Sequence, residues 1–428
     1  MAKAGSGSAA SRTVLGTVDA GETYASSIAT AGGYVFLGGT AVDESGRIAA
    51  DATPPEPYAT SAAAQAEAQG RYLFQTFDEL LPKVGSSVAD IVQIEQYVKL
   101  KVHADAYFRV ATSKDYLGKA VPVAATAQVG SYVPDEAAVA VTGLAIVPDE
   151  ASGLIKSEPE DPTGASSANR KFSELIFAGP YIFTTIFPSD RKSGLPEAAR
   201  TPNWIWSGSE IGAEMKWGLE ELRGRLANVG ASLADIVDYT VFLTDAGDLY
   251  EFDAALKAAI GGDAPSRTVI PSRGYALPRR EGAFGHEQGA PRMEVQFRIR
   301  RPDAGAEKVV VDGPGAGFGY QSAAVRLGPL VWISSLVAAP EHRGNAAAEV
   351  ADILAKISET CANAGTDLSN LLRVRVLLAR AEDAGAFSAA LRTAVPSEPP
   401  TVCMAVLPSP LPTPDATVAI DAVAFVGD

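Results

Sequence analysis

A nine-residue pattern occurs three times in this chain, as VGSSVADIV at 84–92, VGASLADIV at 229–237 and AGTDLSNLL at 364–372. Each follows an amphipathic stretch and precedes a β-rich run. The copies stand 145 and then 135 residues apart, which is the spacing of domains rather than of solenoid repeats. A length of 428 residues agrees with about three domains, and 47 % hydrophobic residues give each one material for its own core. A chain built this way folds three times on one plan, and its three versions are free to diverge.

The same order of elements surrounds each copy. A strand (Tyr34-Val35-Phe36-Leu37, Tyr181-Ile182-Phe183-Thr184 or Leu330-Val331-Trp332-Ile333) leads through a turn and a second strand to a long helix. That helix is expected at roughly Ser61–Leu81, Glu210–Ala227 and Ala346–Ala362, where apolar residues fall three and four apart, as in Met215, Leu219, Leu222 and Leu226. Gly85, Gly230 or Gly365 then supplies a left-handed helix stop. A strand follows (Ile91–Leu100, Ile236–Thr244, Leu371–Ala379), then a short helix such as Leu249–Ile260 and two closing strands, the last at Ala137–Val147, Met293–Arg300 and Thr417–Val426. The fold class is α+β, with helices on one face of each sheet. The uncovered faces are apolar, and three domains can bury them against one another around a pseudo-threefold axis. Polar, Pro- and Gly-containing segments read as linkers at 148–168 and 301–316, with a short edge strand at Val309–Val311. The domains are then 16–147, 169–300 and 317–428, behind a flexible tail at 1–15.

A formal charge of −15 argues against a nucleic-acid partner, which needs clustered Lys and Arg. Two cysteines, Cys361 and Cys403, make no disulfide framework and suit a reducing cytoplasm. The N-terminus lacks the apolar region of a secretory signal, and no run is apolar enough to span a membrane. The histidines, His103, His286 and His342, are scattered, so no metal site is expected. Gly261-Gly262 and Gly313-Pro314-Gly315 lack phosphate-loop spacing and read as turns.

This order of elements and its motifs resemble the Rid (YjgF-type, RidA-like) domain, which shares its fold with AroH-type chorismate mutases. The resemblance spans about Gly16–Val147, Asn169–Arg300 and Gly317–Val426. It implies three RidA-like domains in a self-contained pseudo-trimer with clefts between neighbours, and dimerisation of two such chains is the further assembly it allows. The family's deaminase members hydrolyse enamines and imines of small 2-amino acids. Their Pro-x-Arg-(Ser/Thr) pattern, whose arginine clamps the substrate carboxylate, is met by Pro265-Ser266-Arg267-Thr268. The glutamate they associate with the attacking water is matched by Glu294, in Met293-Glu294-Val295-Gln296. In the first copy Ala124 takes the arginine's place and Ala140-Val141-Thr142 carries no acid. In the third, Thr401 of Pro399-Pro400-Thr401 takes it, and Asp421 lies two positions past the glutamate's place. The resemblance thus implies one family-type cleft, centred on Arg267. It adds further cleft positions at Thr268, Asp253, Thr185, Phe172, Tyr24, Tyr320 and Cys403.

The residue types suit that chemistry. An arginine fork matches a carboxylate in two-pronged fashion, fixing it positions the neighbouring C=N carbon, and a carboxylate can accept the water's proton, so no metal or organic cofactor is required. Each has a plainer explanation. A lone strand arginine is usually a surface charge, Glu294 on an alternating strand is equally a solvent-facing residue, and Cys403 is more often a small core residue. The loop Ser272–Pro291, with Arg273, Tyr275, Arg279, Arg280, Phe284 and His286, is either a surface excursion or a lid. Trp204 and Trp206 are contact residues or inter-domain packing. The expected function is an imine/enamine deaminase-type hydrolase at Arg267. The alternatives are a non-catalytic small-carboxylate binding or scaffold protein, and a cyclic-amide C–N hydrolase, for which no repeated Ser–Lys pair is found.

Overall fold

Side chains that compete with the backbone for hydrogen bonds start each long helix. Ser61 accepts from the Ala64 N–H, Ser209 from Gly212 and Asn345 from Ala348, satisfying amides that have no partner inside a first turn. The stops are left-handed glycines, Gly85, Gly230 and Gly365, with φ of 80°, 71° and 84°. A computed structural model describes residues 12–159, 172–189, 195–201, 208–275 and 290–427.

The chain is mixed α+β. Its first stretch runs β1 (Thr13–Ala20), β2 (Thr23–Ala31), β3 (Tyr34–Thr40), α1 (Ala62–Leu80), β4 (Ile91–Val98), α2 (Lys101–Ala111), β5 (Val123–Gln128), β6 (Ser131–Tyr132) and β7 (Val139–Ile146). The second runs β8 (Leu175–Ala178), β9 (Tyr181–Ile186), α3 (Glu210–Ala227), β10 (Ile236–Leu243), α4 (Leu249–Ile260), β11 (Ser266–Pro271) and β12 (Met293–Arg300). The third runs β13 (Lys308–Val311), β14 (Ala324–Leu327), β15 (Leu330–Val337), α5 (Ala346–Asn363), β16 (Leu371–Leu378), α6 (Ala384–Ala394), β17 (Thr401–Val406) and β18 (Val418–Phe425).

Strand order agrees among the three: β5-β4-β7-β3-β2, β11-β10-β12-β9-β8 and β17-β16-β18-β15-β14. Within each, only the first pair named is parallel, and its partner strand carries a register shift one step after it begins, at Ile91/Gln93, Ile236/Asp238 or Leu371/Arg373. The first and third sheets join through β2 and β17, where Thr401 pairs with Ser26. One contact recurs between neighbours. Ser173 N donates to Pro122 O at 2.9 Å, Ser322 N to Pro265 O at 3.0 Å and Ser26 N to Pro400 O at 3.0 Å. Each of these serines also donates its hydroxyl to the carbonyl one residue farther back on that neighbouring segment. The links run first to second, second to third and third to first.

Two boundaries differ from the sequence expectation. β1 begins at Thr13, inside the expected tail. Part of the expected first linker is built in: Leu154 is buried, and the Lys156 ammonium donates to Ala89 O, Ile91 O and Ala120 O at 2.8–2.9 Å. A chain that buries polar backbone must satisfy it, and a lysine with three donors does so here. The short strand expected at Val309–Val311 is present as part of β13.

Where the uncovered sheet faces meet, the core is layered. Tyr34, Phe36, Tyr181 and Trp332 make an aromatic layer with edge-on contacts of 5.8–6.1 Å. Arg298 and Arg373 lie over Trp332, at 5.1 and 5.7 Å from its ring centre. They belong to a buried ionic layer. Glu95 of β4 accepts from Arg298 Nη2 at 2.7 Å and from Arg375 Nη1 at 2.6 Å. Arg298 also donates to Asp238 at 2.9 Å, and Arg373 and Arg375 donate to Asp421 at 2.8 and 2.7 Å. Removing one member strands its partners in a medium that solvates charge poorly.

Glu95→Gln is therefore expected to cost about 3–5 kcal/mol in urea unfolding, against under about 0.5 for Glu67→Gln at a partly exposed helix position. Burial alone would raise the Glu95 carboxyl, but Arg375, then Arg298 and Arg373, hold it down at about 2, against 4.5 for a free glutamate. Its contribution is full above the unfolded value and is lost as pH falls toward the folded one. The stability gap between parent and variant should thus shrink below about pH 5.

Candidate functional site

Arg267 lies on β11 opposite Tyr239 of β10, which in turn faces Phe297 of β12. Tyr239, Phe297 and Val269 belong to the core beneath α3 and α4, so Arg267 is on the helix-covered face, and only 3 % of it is exposed. Its guanidinium is fully engaged. Nη1 grips both carboxylate oxygens of Asp253 on α4, at 2.6 Å to Oδ1. Nε donates to Gln321 Oε1 at 3.1 Å and Nη2 to Phe318 O at 2.9 Å, while the backbone N–H donates to Ser334 Oγ at 3.0 Å. Asp253 also accepts from Tyr320 N at 3.0 Å. The arginine thus spans the second and third stretches. Two adjoining cavities, of about 30 and 210 Å³, share Phe318, Gln321, Ser335 and Val337, and the larger reaches Arg343 and Lys356.

Glu294 does not join it. Glu294 pairs with Phe242 on β10, and Phe242 is buried with Tyr97 and Leu377 on the opposite side of the sheet. Glu294 Oε2 accepts from Thr126 N, at 3.1 Å, on β5 of the first stretch. The expected pair is therefore divided: Arg267 turns toward the third stretch and Glu294 toward the first. Strand alternation is the reason, because the register puts Arg267 on one parity and Glu294 on the other. Thr268 takes the parity of Glu294, opposite Thr240, and leaves Arg267's side for the same reason.

The other expected cleft positions lie at three different contacts. Tyr320 reaches the second stretch and donates its hydroxyl to Gly262 O at 3.1 Å. Tyr24 reaches the third and donates to Val395 O at 2.6 Å. Phe172 meets Phe108 of α2, with ring centres 5.9 Å apart. Thr185 pairs with Gln296 on β12, and its hydroxyl is buried with no hydrogen bond. Cys403 is buried, and desolvation pushes its thiol up to about 12, which favours the protonated form. Of the expected loop, Arg273 N donates to Gln128 O, while Arg279, Arg280, Phe284 and His286 lie outside the described residues, as do Trp204 and Trp206. No group of acidic, His and Cys side chains fit to hold a metal occurs among the described residues.

Register corrects one alignment. Ser266 faces Asp238 on β10, as Val123 faces Gln93 on β4 and Thr401 faces Arg373 on β16. The residue at Arg267's place in the third stretch is thus Val402, not Thr401. Two consecutive prolines, Pro399 and Pro400, allowed a slip of one, and the second is the one that accepts from a serine amide as Pro265 does. At this same place the sequence reading also missed a cavity of about 300 Å³ between the first and third stretches. Its one signal is Gly38-Gly39. Gly38 pairs with Thr142 on β7, as Thr185 pairs with Gln296, and nothing lies within 4 Å of where a Cβ on Gly39 would stand.

Residues 312–426 match the Endoribonuclease L-PSP family. This YjgF/RidA domain covers the third stretch and excludes the one that carries Arg267. Among solved structures, a chorismatase is 12 % identical and covers 78 % of this chain and 93 % of its own, with a TM-score of 0.48. A YjgF/YER057c/UK114-family member from Mycobacterium tuberculosis is 25 % identical, covers 28 % of this chain and all (100 %) of its own, and has a TM-score of 0.25. RidA from an Antarctic Psychrobacter is 22 % identical, covers 28 % and 99 %, and has a TM-score of 0.25. No curated protein matches the chain. No described helix is long and apolar enough to cross a membrane.

Burial is the largest influence on Glu294. It pushes the carboxyl up to about 8, with Glu95 adding to the rise and the Thr126 amide opposing it. A carboxyl raised on folding binds its proton more tightly in the native state, so stability falls as pH climbs from the free value of 4.5 toward 8. Urea unfolding at several pH values should show Glu294→Gln gaining on the parent across that range. A gap that does not change with pH would remove the assignment.

Proposed function

We propose that this chain is a pseudo-trimer of three RidA-like domains that binds a small carboxylate-bearing molecule at the contact of its second and third domains, with Arg267 as the anchor. The head-to-tail serine–proline contacts, repeated three times, support the architecture. One observation carries the function: the buried fork of Arg267 already holds a carboxylate, that of Asp253, beside a small cavity that adjoins a larger one lined by Arg343 and Lys356. A ligand carboxylate would compete with Asp253 for the same donors. The reading is closer to a recognition site than to a deaminase, because the glutamate needed for water activation faces elsewhere.

Imine or enamine hydrolysis is the second reading. Its support is Glu294, a buried carboxyl poised near neutral pH as a general acid or base should be. That chemistry would take place at the contact of the first and second domains, without Arg267.

Calorimetry with pyruvate and 2-oxobutanoate separates the two. Asp253→Asn should free the fork and tighten binding about tenfold, and Arg267→Gln should abolish it. Ammonia release from freshly formed amino-acid imines should be unaffected by Arg267→Gln. Carboxylate binding that survives Arg267→Gln sinks the first reading, and imine hydrolysis that disappears with Glu294→Gln establishes the second.

A further inference from the structure

The 300 Å³ cavity lies where the first and third stretches meet, with Val402 in the place that Arg267 occupies at the neighbouring contact. None of its lining residues is Lys, Arg or His, while Glu22, Asp43, Glu44 and Glu79 all line it. Six of its eight lining hydroxyl groups are equally one-sided, Thr23 and Thr40 being the exceptions. Tyr24 donates to Val395 O, Ser26 to Pro399 O, Ser27 to Gly16 O, Tyr72 to Val42 O and Thr76 to Tyr72 O. Since the Ser26 hydrogen is committed to Pro399, Thr17 is the donor in the 3.0 Å contact between those two hydroxyls. A hydroxyl has one hydrogen and two lone pairs. These six lining hydroxyls have therefore spent their hydrogens on protein acceptors and retain lone pairs alone. Cys403, which also lines the cavity, remains a neutral thiol.

We infer that this cavity binds a small organic cation, an ammonium or amidinium carried on an apolar body. Acceptor lone pairs and rim carboxylates favour a charged donor. Phe77, Leu73, Val402 and Met404 offer the apolar body its contact. A carboxylate ligand would meet like charge at the rim and no cation inside. The inference does not rest on the carboxylate site at Arg267, which lies at a different contact and has the opposite polarity.

The probes are benzylammonium chloride, sodium benzoate and benzyl alcohol, titrated calorimetrically into the full chain at low and moderate salt. Each titration is repeated in Arg267→Gln, which silences carboxylate binding at the other contact. In that background benzylammonium should bind at least about tenfold tighter than benzoate or the alcohol. The paired substitution Glu22→Gln and Glu79→Gln, both on exposed side chains, should weaken ammonium binding and flatten its salt dependence. Val402→Arg should abolish ammonium binding and admit benzoate; if that variant does not fold, the Glu22/Glu79 pair decides alone. Benzoate or the alcohol binding as tightly as the ammonium, no ammonium binding at all, or ammonium binding indifferent to the paired substitution would each overturn the inference.

Discussion

Glu95 is one buried carboxylate held by two guanidinium groups, from Arg298 and Arg375, that arrive from two other parts of the chain. The rest of the centre is arranged around it. Tyr97 and Thr240 donate to its oxygens, Arg298 reaches on to Asp238, and Arg375 shares Asp421 with Arg373. Three arginines and three carboxylates are thereby neutralised together, although each alone would be expensive to bury. Such a network adds less net stability than an apolar core of the same volume, but it tolerates few alternative arrangements. A sheet that slipped by one residue would bury unpaired charge, so the network selects the register of all three sheets at once.

The same network depends on the three stretches being unlike. Strand pairing places Glu95, Thr240 and Arg375 at matching positions, and likewise Gln93, Asp238 and Arg373. Three identical copies of any one stretch would bring three like charges together at one or both of these levels. Divergence sets an acid from the first against arginines from the second and third. The clefts follow the same logic. At one place the second stretch has Arg267 and the third has Val402, and around them lie a cavity lined by cations and a cavity lined by acids. On the proposed reading, fusion allows one fold to present surfaces of opposite charge at contacts that a symmetric trimer would make alike.

Much of the plan was legible in the residues. The amphipathic spacing of the long helices, their glycine stops and the order of strands were all readable because they depend on neighbours three or four positions away. Arg267 and Asp253 were singled out, and the structure brings them together. Glu294 was singled out too, and it points away from them. Alternation along Met293-Glu294-Val295 shows which residues share a face, but it cannot relate that face to the one bearing Arg267, because the relation depends on how β11 and β12 each pair with β10. The Thr401 assignment failed for a related reason. Two adjacent prolines offered two registers, and the pairing of β17 with β16 and the distant amide of Ser26 choose between them.

The sequence alone determined the local matters: an α+β plan used three times, helix starts and stops, an acidic surface, and the presence of a single Pro-Ser-Arg-Thr motif. These follow from side-chain spacing and backbone preference, which act over a few residues. Tertiary structure decided which side chains meet. It gave Arg267 to Asp253 and a neighbour's loop, gave Glu294 to the opposite contact, gathered six charges from five strands, and opened a 300 Å³ cavity where the motif is absent. Those outcomes depend on strand parity and on contacts hundreds of residues apart, where burial and charge pairing set the energy and sequence spacing carries no information.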